Sequence, residues 1–278
     1  MKLCNIKVDG AVHLAIVTPR GVVDASAAGY APDMDAVIAG ADMAQLAAIA
    51  ADESLPVVEK PDYANVINRV GKIVCVGMNY RDHAASIDLK SGEKPTLFSK
   101  YADTLVPCGA AVTLPPWEES YDYEAELVIV IGRRAWGVGE DEAMDYVFGY
   151  TCGNDFSCRA PQKRTSQWLC GKTMPGFGPC GPAIVTADSF DPAAGKRIKS
   201  YVNGEQRQNG STADMTHPCA EIISYASHYM ALEPGDLIFT GTPSGVALEK
   251  DKKLPWLKPG DRVDVEIEDI GVLTNYMV

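Results

Sequence analysis

Short apolar runs separated by turn-forming dipeptides dominate the chain, and this punctuation restricts it to folds built mainly from brief strands. Asp9-Gly10 stands between two alternating apolar runs and Asn203-Gly204 between two extended ones. Both dipeptides suit the positive φ angles of a two-residue hairpin turn. Pro-Gly-Asp occurs at 234–236 and again at 259–261, each time leading into a run of strand character. The pattern predicts strands over 72–77, 96–99, 123–131, 182–187, 198–202, 205–209, 236–240 and 262–268. In the larger region helical spacing is confined to 140–147, 160–169 and 218–231, with Pro218 placed at a first helical position. Residues 33–52 are Ala-rich and interrupted by Gly40, which predicts one broken helix or two short ones. A boundary near residue 65, after Pro56 and Pro61, separates a small N-terminal α+β domain (1–65) from a larger domain (66–278). The fold class is α+β, predominantly β, rather than a regular βαβ repeat.

A formal net charge of -12 opposes a phosphate backbone, so nucleic acid is not an expected partner. No run of about 18 apolar residues occurs, and Asp9 and Gly10 interrupt the apolar start, so neither membrane span nor signal peptide is indicated and a cytoplasmic protein is expected. The eight cysteines form no CxxC pair and are spread along the chain, which suits reduced thiols better than disulfides or zinc.

Three familiar motifs fail on inspection. Gly176, Gly178 and Gly181 match GxGxxG, but Pro179 lies inside the match and Pro182 follows it, so no helix N-terminus is available for a pyrophosphate. Gly171-Lys172-Thr173 resembles the end of a phosphate-binding loop, yet Ser166 stands where the first glycine belongs. Ser244 lacks the flanking glycines of a nucleophile elbow.

Glu124 and Glu126 lie one residue apart in the strand-like YDYEAELVIVIG, so their carboxylates face the same way, and Asp155 follows 29 positions later in GYTCGNDFS. Such a cluster reads either as a solvated strand face or as the seat of a cation. With no imidazole or thiolate beside them, an all-oxygen set suits Mg2+ or Mn2+ better than zinc.

The segments VCVGMNYRDHAAS (74–86), PTLFSKYADTLV (95–106), DYEAELVIVIGRRA, GYTCGNDFSCR, GKTMPGFGPCGP, YVNGEQRQNGSTADM and LEPGDLIFTGTPSGV, in this order, resemble the fumarylacetoacetate hydrolase family over about residues 70–275. The resemblance implies a mixed β-sandwich roll, a homodimer, and one Mg2+ or Mn2+ per subunit held by Glu124, Glu126 and Asp155. It further implies a small 2-oxo acid substrate that chelates the metal. By position, Lys172 matches the family lysine beside the metal, Arg159 either a second anion-side group or simply a helix-start salt bridge, and Gln208 and Thr242 substrate-contacting positions. His83 matches the histidine that activates water, for which the family usually supplies a Glu three residues later. Ser86 stands at that position here, and Asp82, Asp88 or Glu93 are the candidates to replace it. His13, His217 and His228 have no comparable context and read as structural.

The expected activity is hydrolysis of a carbon-carbon bond in a small 2,4-dioxo acid, with His83 preparing water and Lys172 helping to hold the enolate leaving group. Because Ser86 weakens the water-activating pair, an isomerase or decarboxylase of the same family is the alternative. A metal-binding protein without catalysis is the remote one.

Overall fold

A computed structural model describes residues 1–82, 92–249 and 253–278. Its elements run β1 (Lys2–Val8), β2 (Ala11–Thr18), β3 (Gly21–Asp24), α1 (Met34–Ile38), α2 (Met43–Ala51), β4 (Ile73–Gly77), β5 (Thr96–Lys100), β6 (Ala111–Val112), β7 (Tyr121–Asp122), β8 (Ala125–Ile131), β9 (Val147–Asn154) and β10 (Ser157–Cys158). They continue with α3 (Arg159–Gln162), α4 (Leu169–Lys172), β11 (Cys180–Thr186), β12 (Arg197–Val202), β13 (Glu205–Ser211), α5 (Cys219–Ser227), β14 (Leu237–Phe239), β15 (Arg262–Ile267) and β16 (Gly271–Met277).

Nine strands form one sheet in the order β3-β2-β1-β11-β9-β8-β14-β4-β5, and five form a second in the order β13-β12-β15-β16-β6. Both are mixed: β14 pairs parallel with β4 and β16 parallel with β6, while the remaining pairs are antiparallel. Leu127, Ile129 and Ile131 of β8 point toward Ile198, Val265 and Leu273 of the second sheet and toward Ile222 and Ile223 of α5. Val128 and Val130, on the opposite face, pack with Met34, Val37 and Leu46 of α1 and α2. A strand covered on both faces explains the unbroken apolar run LVIVI at 127–131, because alternation is needed only where one face meets water. The fold is therefore the predominantly β, sandwich-like α+β architecture expected from the punctuation.

Residues 1–65 share this core. β1 pairs with β11, so the N-terminal strands extend the nine-stranded sheet, and α1 and α2 cover its second face. Two short helices form where one broken helix was the alternative. Asp33 and Asp42 each cap one by accepting a backbone N–H, from Ala36 at 2.9 Å and from Ala44 at 2.8 Å, and Gly40 turns the chain between them at φ +105°.

The turn signals act as expected. Asp9 and Gly10 take φ +49° and +82°, and Asn203 and Gly204 +53° and +82°. The recurrence of Pro-Gly-Asp has a common cause: Asp236 accepts the Glu233 N–H at 2.7 Å and Asp261 the Lys258 N–H at 2.9 Å, so each aspartate closes its own turn. Helices fare less well. Residues 140–147 give only a single 3-10 turn, Ala143–Tyr146, and 160–169 gives the two short turns α3 and α4 instead of one helix. The helix expected over 218–231 is shorter, with Pro218 capping α5 from outside it. Two of the longer strands escaped the pattern: β9, diluted by Gly149 and Gly153, and β16 at the C-terminal end.

Those two glycines are packing requirements. A Cβ on Gly149 would lie 2.3 Å from the Val185 carbonyl oxygen, and one on Gly153 within 2.4 Å of Val128. The eight cysteines are all unpaired, and burial pushes the Cys4 and Cys219 thiols up to about 12. Among the described residues, no helix is long and apolar enough to cross a membrane.

Candidate metal centre and active-site cavity

The pairing of β8 with β9 brings the acidic residues together. Ala125 faces Asn154 and Glu126 faces Gly153, so Glu124, just before β8, and Asp155, just after β9, lie at the same end of the pair. Two backbone links fix them: Glu124 N–H donates to Asn154 Oδ1 at 2.9 Å, and Asp155 N–H to the Glu124 carbonyl at 3.0 Å. One carboxylate oxygen from each of Glu124, Glu126 and Asp155 lies within 4.8 Å of the others, and all three residues are buried. The solvated-face reading of these glutamates therefore fails, and the cluster could hold a metal ion.

Among the described residues, three buried cations surround them. Lys172 Nζ, on α4, donates to Glu124 Oε2 at 2.8 Å and to Asp155 Oδ2 at 2.7 Å. Arg159, at the start of α3, bridges Glu124 Oε1 at 2.7 Å and Asp122 Oδ2 at 2.8 Å. Lys100, the last residue of β5, sits 2.7 Å from Asp155 Oδ1. Burial works against the charge on Lys172, but Asp155 and Glu124 outweigh it and hold the ammonium above its ordinary range. Arg159 is likewise held up by Asp122 and Glu124 against the cost of its burial.

Glu126 is the exception. It is 1% exposed, and the Gly241 N–H donates to its Oε2 at 2.7 Å. Burial, then Asp155 and Glu124, push its carboxyl well above the usual carboxylate range, more than Lys172 and the Gly241 amide can offset. Asp155 Oδ1 faces the Lys100 ammonium at 2.7 Å. Among the described residues, the four buried carboxylates of Asp122, Glu124, Glu126 and Asp155 thus face three cations. An excess of one carboxylate over the cations, with oxygens of Glu124, Glu126 and Asp155 all within 4.8 Å of one another, fits a hard divalent cation such as Mg2+ or Mn2+.

Gly241 is required where it stands, at φ +96°, with an added Cβ only 2.7 Å from Asn79 Cβ and 3.1 Å from the Val76 oxygen. Gly241→Ala is expected to cost about 1–3 kcal/mol of stability and to weaken Mn2+ binding about tenfold by moving the amide off Glu126. Isothermal titration with Mn2+ and a thermal melt check both parts, and parental values in the two would refute the assignment.

A cavity of about 290 Å³ opens over the cluster. Val76, Met78, Phe98, Trp168 and Leu248 form its apolar side, and Gln162, Lys163, Thr165 and Ser166 a polar one. Trp168 packs edge-to-face on Phe98, with ring centroids 5.3 Å apart, and lies so close to Gly77 that a Cβ there would be 2.3 Å from its ring.

Of the residues proposed from sequence, Glu124, Glu126, Arg159, Lys172 and Thr242 line this cavity and Asp155 lies beneath it, paired with Lys172. Thr242 Oγ1 donates to the Ala125 carbonyl at 2.8 Å. Gln208 lies behind Thr242, fully buried: its amide hydrogens go to Thr242 Oγ1 and the Pro243 carbonyl, both at 2.7 Å, and its oxygen accepts from Ala125 N–H at 3.0 Å and Ser200 Oγ at 2.9 Å. In this conformation its polar atoms are engaged by protein. His83, Ser86 and Asp88 lie outside the described residues. Of the other candidate partners, Asp82 accepts the Ser244 N–H at 3.3 Å, and Glu93 is exposed. His13 pairs with Asp24, His217 with Glu221, and His228 with the Ser224 carbonyl, and none of the three lines the cavity.

Sequence reasoning missed Asp122, Lys100 and Gln162. Asp122 continues the spacing of Glu124 and Glu126, and it binds Arg159 together with the backbone N–H groups of Ala247 and Leu248 at 2.8 and 3.0 Å. Lys100 carried no signal beyond its place two residues after Phe98 on one face of a short strand. Gln162 accepts from Arg159 at 3.0 Å and had no signal of its own.

Comparison with known proteins agrees with this geometry. The fumarylacetoacetate (FAA) hydrolase C-terminal family profile matches residues 72–278. Human oxaloacetate tautomerase FAHD2A, mitochondrial, is 40% identical over 228 residues, which cover 81% of this chain and 72% of the human protein. Among solved structures, fumarylacetoacetate hydrolase from the psychrophile Exiguobacterium antarcticum superposes with a TM-score of 0.87 at 33% identity, covering 100% of this chain and 99% of that one. Fumarylpyruvate hydrolase from Pseudomonas aeruginosa, solved with Mn2+ and pyruvate, superposes with a TM-score of 0.69 at 30% identity, covering 80% and 92%. The chain belongs to the fumarylacetoacetate hydrolase family of enzymes.

Proposed function

We propose that this enzyme uses Mg2+ or Mn2+ to enolise a small 2-oxo acid, and that its reaction is keto–enol tautomerisation of a 2-oxo diacid of the oxaloacetate type. The observation that carries the proposal is Lys172 hydrogen-bonded to two of the three carboxylates at the floor of the cavity. This places a fixed positive charge where an enolate oxygen develops negative charge. Glu124, Glu126 and Asp155 would hold the metal, whose chemistry is Lewis-acid polarisation of a chelating carboxylate and keto oxygen.

The chain's own groups divide the remaining tasks. Lys172 stabilises the enolate oxygen. Arg159, anchored on Asp122, keeps Glu124 oriented and adds positive charge to the substrate side. Phe98, Met78, Trp168 and Leu248 exclude water from the wall against which the planar enolate rests. His83 is the proposed base that takes the proton from carbon 3 toward the enol or delivers one there toward the keto form, while the enol oxygen gains or loses its own proton by exchange with solvent. Enolisation needs no attacking water, so it tolerates Ser86 in place of the glutamate that would complete a water-activating pair. Support also comes from the human relative named as an oxaloacetate tautomerase.

Hydrolysis of a 2,4-dioxo acid is the second reading, favoured by the likeness to fumarylpyruvate hydrolase. The two differ in product: tautomerisation removes the enol absorbance without changing mass, while hydrolysis yields two acids. Metal-free protein supplied with Mn2+ is expected to accelerate loss of oxaloacetate enol above the rate with Mn2+ alone, and chelation to lower turnover more than about 10²-fold. Absence of acceleration at saturating Mn2+, or carbon dioxide as the main product, would remove tautomerisation from consideration.

A further inference from the structure

The feature left over by the mechanism is Lys100. Its side chain is 0% exposed, although it belongs to β5, the edge strand of the nine-stranded sheet. Burying an ammonium group is costly unless every donor finds a partner. Here Nζ donates to the Lys172 carbonyl at 2.6 Å and the Phe156 carbonyl at 3.2 Å, and lies 2.7 Å from Asp155 Oδ1. The same amine thus reaches the backbone just after one metal-site acid, the backbone of the catalytic lysine, and the acid itself. Room for its stem comes from Gly178 in the Pro-Gly loop, where an added Cβ would sit 3.3 Å from Lys100 Cδ and 2.8 Å from Thr104 Oγ1. Phe98, on the same face of β5, lies under Lys172, with Nζ 5.0 Å from the ring centroid. One short strand therefore supports both Asp155 and Lys172 from below.

The two lysines treat Asp155 differently. Lys172 donates a hydrogen bond to Oδ2, while the Lys100 ammonium, two of whose three donors go to the Phe156 and Lys172 carbonyls, sits 2.7 Å from Oδ1. Asp155 is thus gripped by a different lysine at each carboxylate oxygen.

We infer that Lys100 is a positioning residue for the metal centre, which anchors Asp155 through its charge while tying together the backbone of Phe156 and Lys172. It does not touch substrate. The inference rests on the metal-binding reading of Glu124, Glu126 and Asp155, and its test separates the two.

Mn2+ affinity is measured without substrate, by electron paramagnetic resonance of the free ion, on the parent, Lys100→Met and Lys172→Met. Turnover of oxaloacetate is then followed against Mn2+ concentration. The expected result is an Mn2+ dissociation constant raised about 10- to 100-fold in Lys100→Met, with most of kcat recovered at high Mn2+. In Lys172→Met, kcat stays low at any Mn2+ concentration. Lys100→Gln, which keeps donors for the two carbonyls without the charge, serves if the Met variant does not fold, and the same weakening is expected of it. A folded Lys100 variant that binds Mn2+ as tightly as the parent overturns the inference even if its melting temperature falls, since a purely structural lysine would give that pattern. A parent protein that binds no Mn2+ overturns the metal reading itself and the inference with it.

Discussion

Glu126→Gln is expected to abolish specific Mn2+ binding and to lower turnover by more than about 10²-fold, yet to leave the metal-free protein at least as heat-stable as the parent. The usual penalty for altering a buried charged residue is reversed because Glu126 is a carboxylate without an ion-pair partner among the described residues, held by the Gly241 amide. Its folded-state value is raised above the ordinary 4.5, so the unfolded chain ionises first as pH increases. Below about pH 4.5 the group is protonated in both states and has no effect on stability. As pH climbs from there through the raised value, the folded state holds the extra proton and stability falls. The melting temperature of the chelated parent should therefore drop relative to that of Glu126→Gln as pH rises above about 5, and Mn2+ should close the gap in the parent alone. A variant that melts well below the parent throughout this range, or that still binds Mn2+, would show that Glu126 is not a ligand waiting for a cation.

Lys172→Met should be damaging in both stability and rate. Without the ammonium, Glu124 keeps Arg159 and Asp155 keeps Lys100, but each loses a hydrogen bond of 2.7–2.8 Å inside the protein. Removing one member of a buried ionic network costs about 3–5 kcal/mol. The rate should fall by about 10²–10³-fold, the usual effect of deleting one preorganised group facing developing charge. Added Mn2+ supplies positive charge to Glu124 and Asp155 in place of the lost ammonium, so it should restore much of the melting temperature while leaving kcat low. Urea denaturation with and without Mn2+, together with kcat at saturating metal, measures the two effects separately. A kcat close to the parent's would confine Lys172 to a structural role and leave enolate stabilisation unexplained.

The Glu124 and Glu126 pair was legible because residues two apart on a strand share a face, a rule that needs no knowledge of partners, whereas the family resemblance was needed to join Asp155 to them as a ligand. Carried one step further back, the same spacing reaches Asp122, whose importance became visible only with Arg159 and the 247–248 backbone in place. Lys100 was hidden for a physical reason. A lysine closing an edge strand ordinarily points to water, and only its neighbours after folding show that it is internal. Strand β9 was hidden by its glycines, which read as loop residues locally but are forced by Val185, Val128 and Phe239 pressing against them. Residues 160–169 give two separate turns instead of one helix, and the second packs back on the first, with Gly171 against Gln162 and the Cys158 carbonyl. The boundary at residue 65 reflected a real change in sequence texture, though the strands and helices before it complete the sheet and core of the larger region.

The strands bearing Glu126 and leading to Asp155 lie in the interior of a nine-stranded sheet, with β14 on one side and β11 on the other. Their amide protons have no free margin from which to fray, so deuterium should enter these segments only when the whole molecule opens. Stripping and reloading the ion would then leave the backbone unmoved, and reactivation of chelated enzyme would be limited by diffusion of the ion rather than by any rebuilding of its seat.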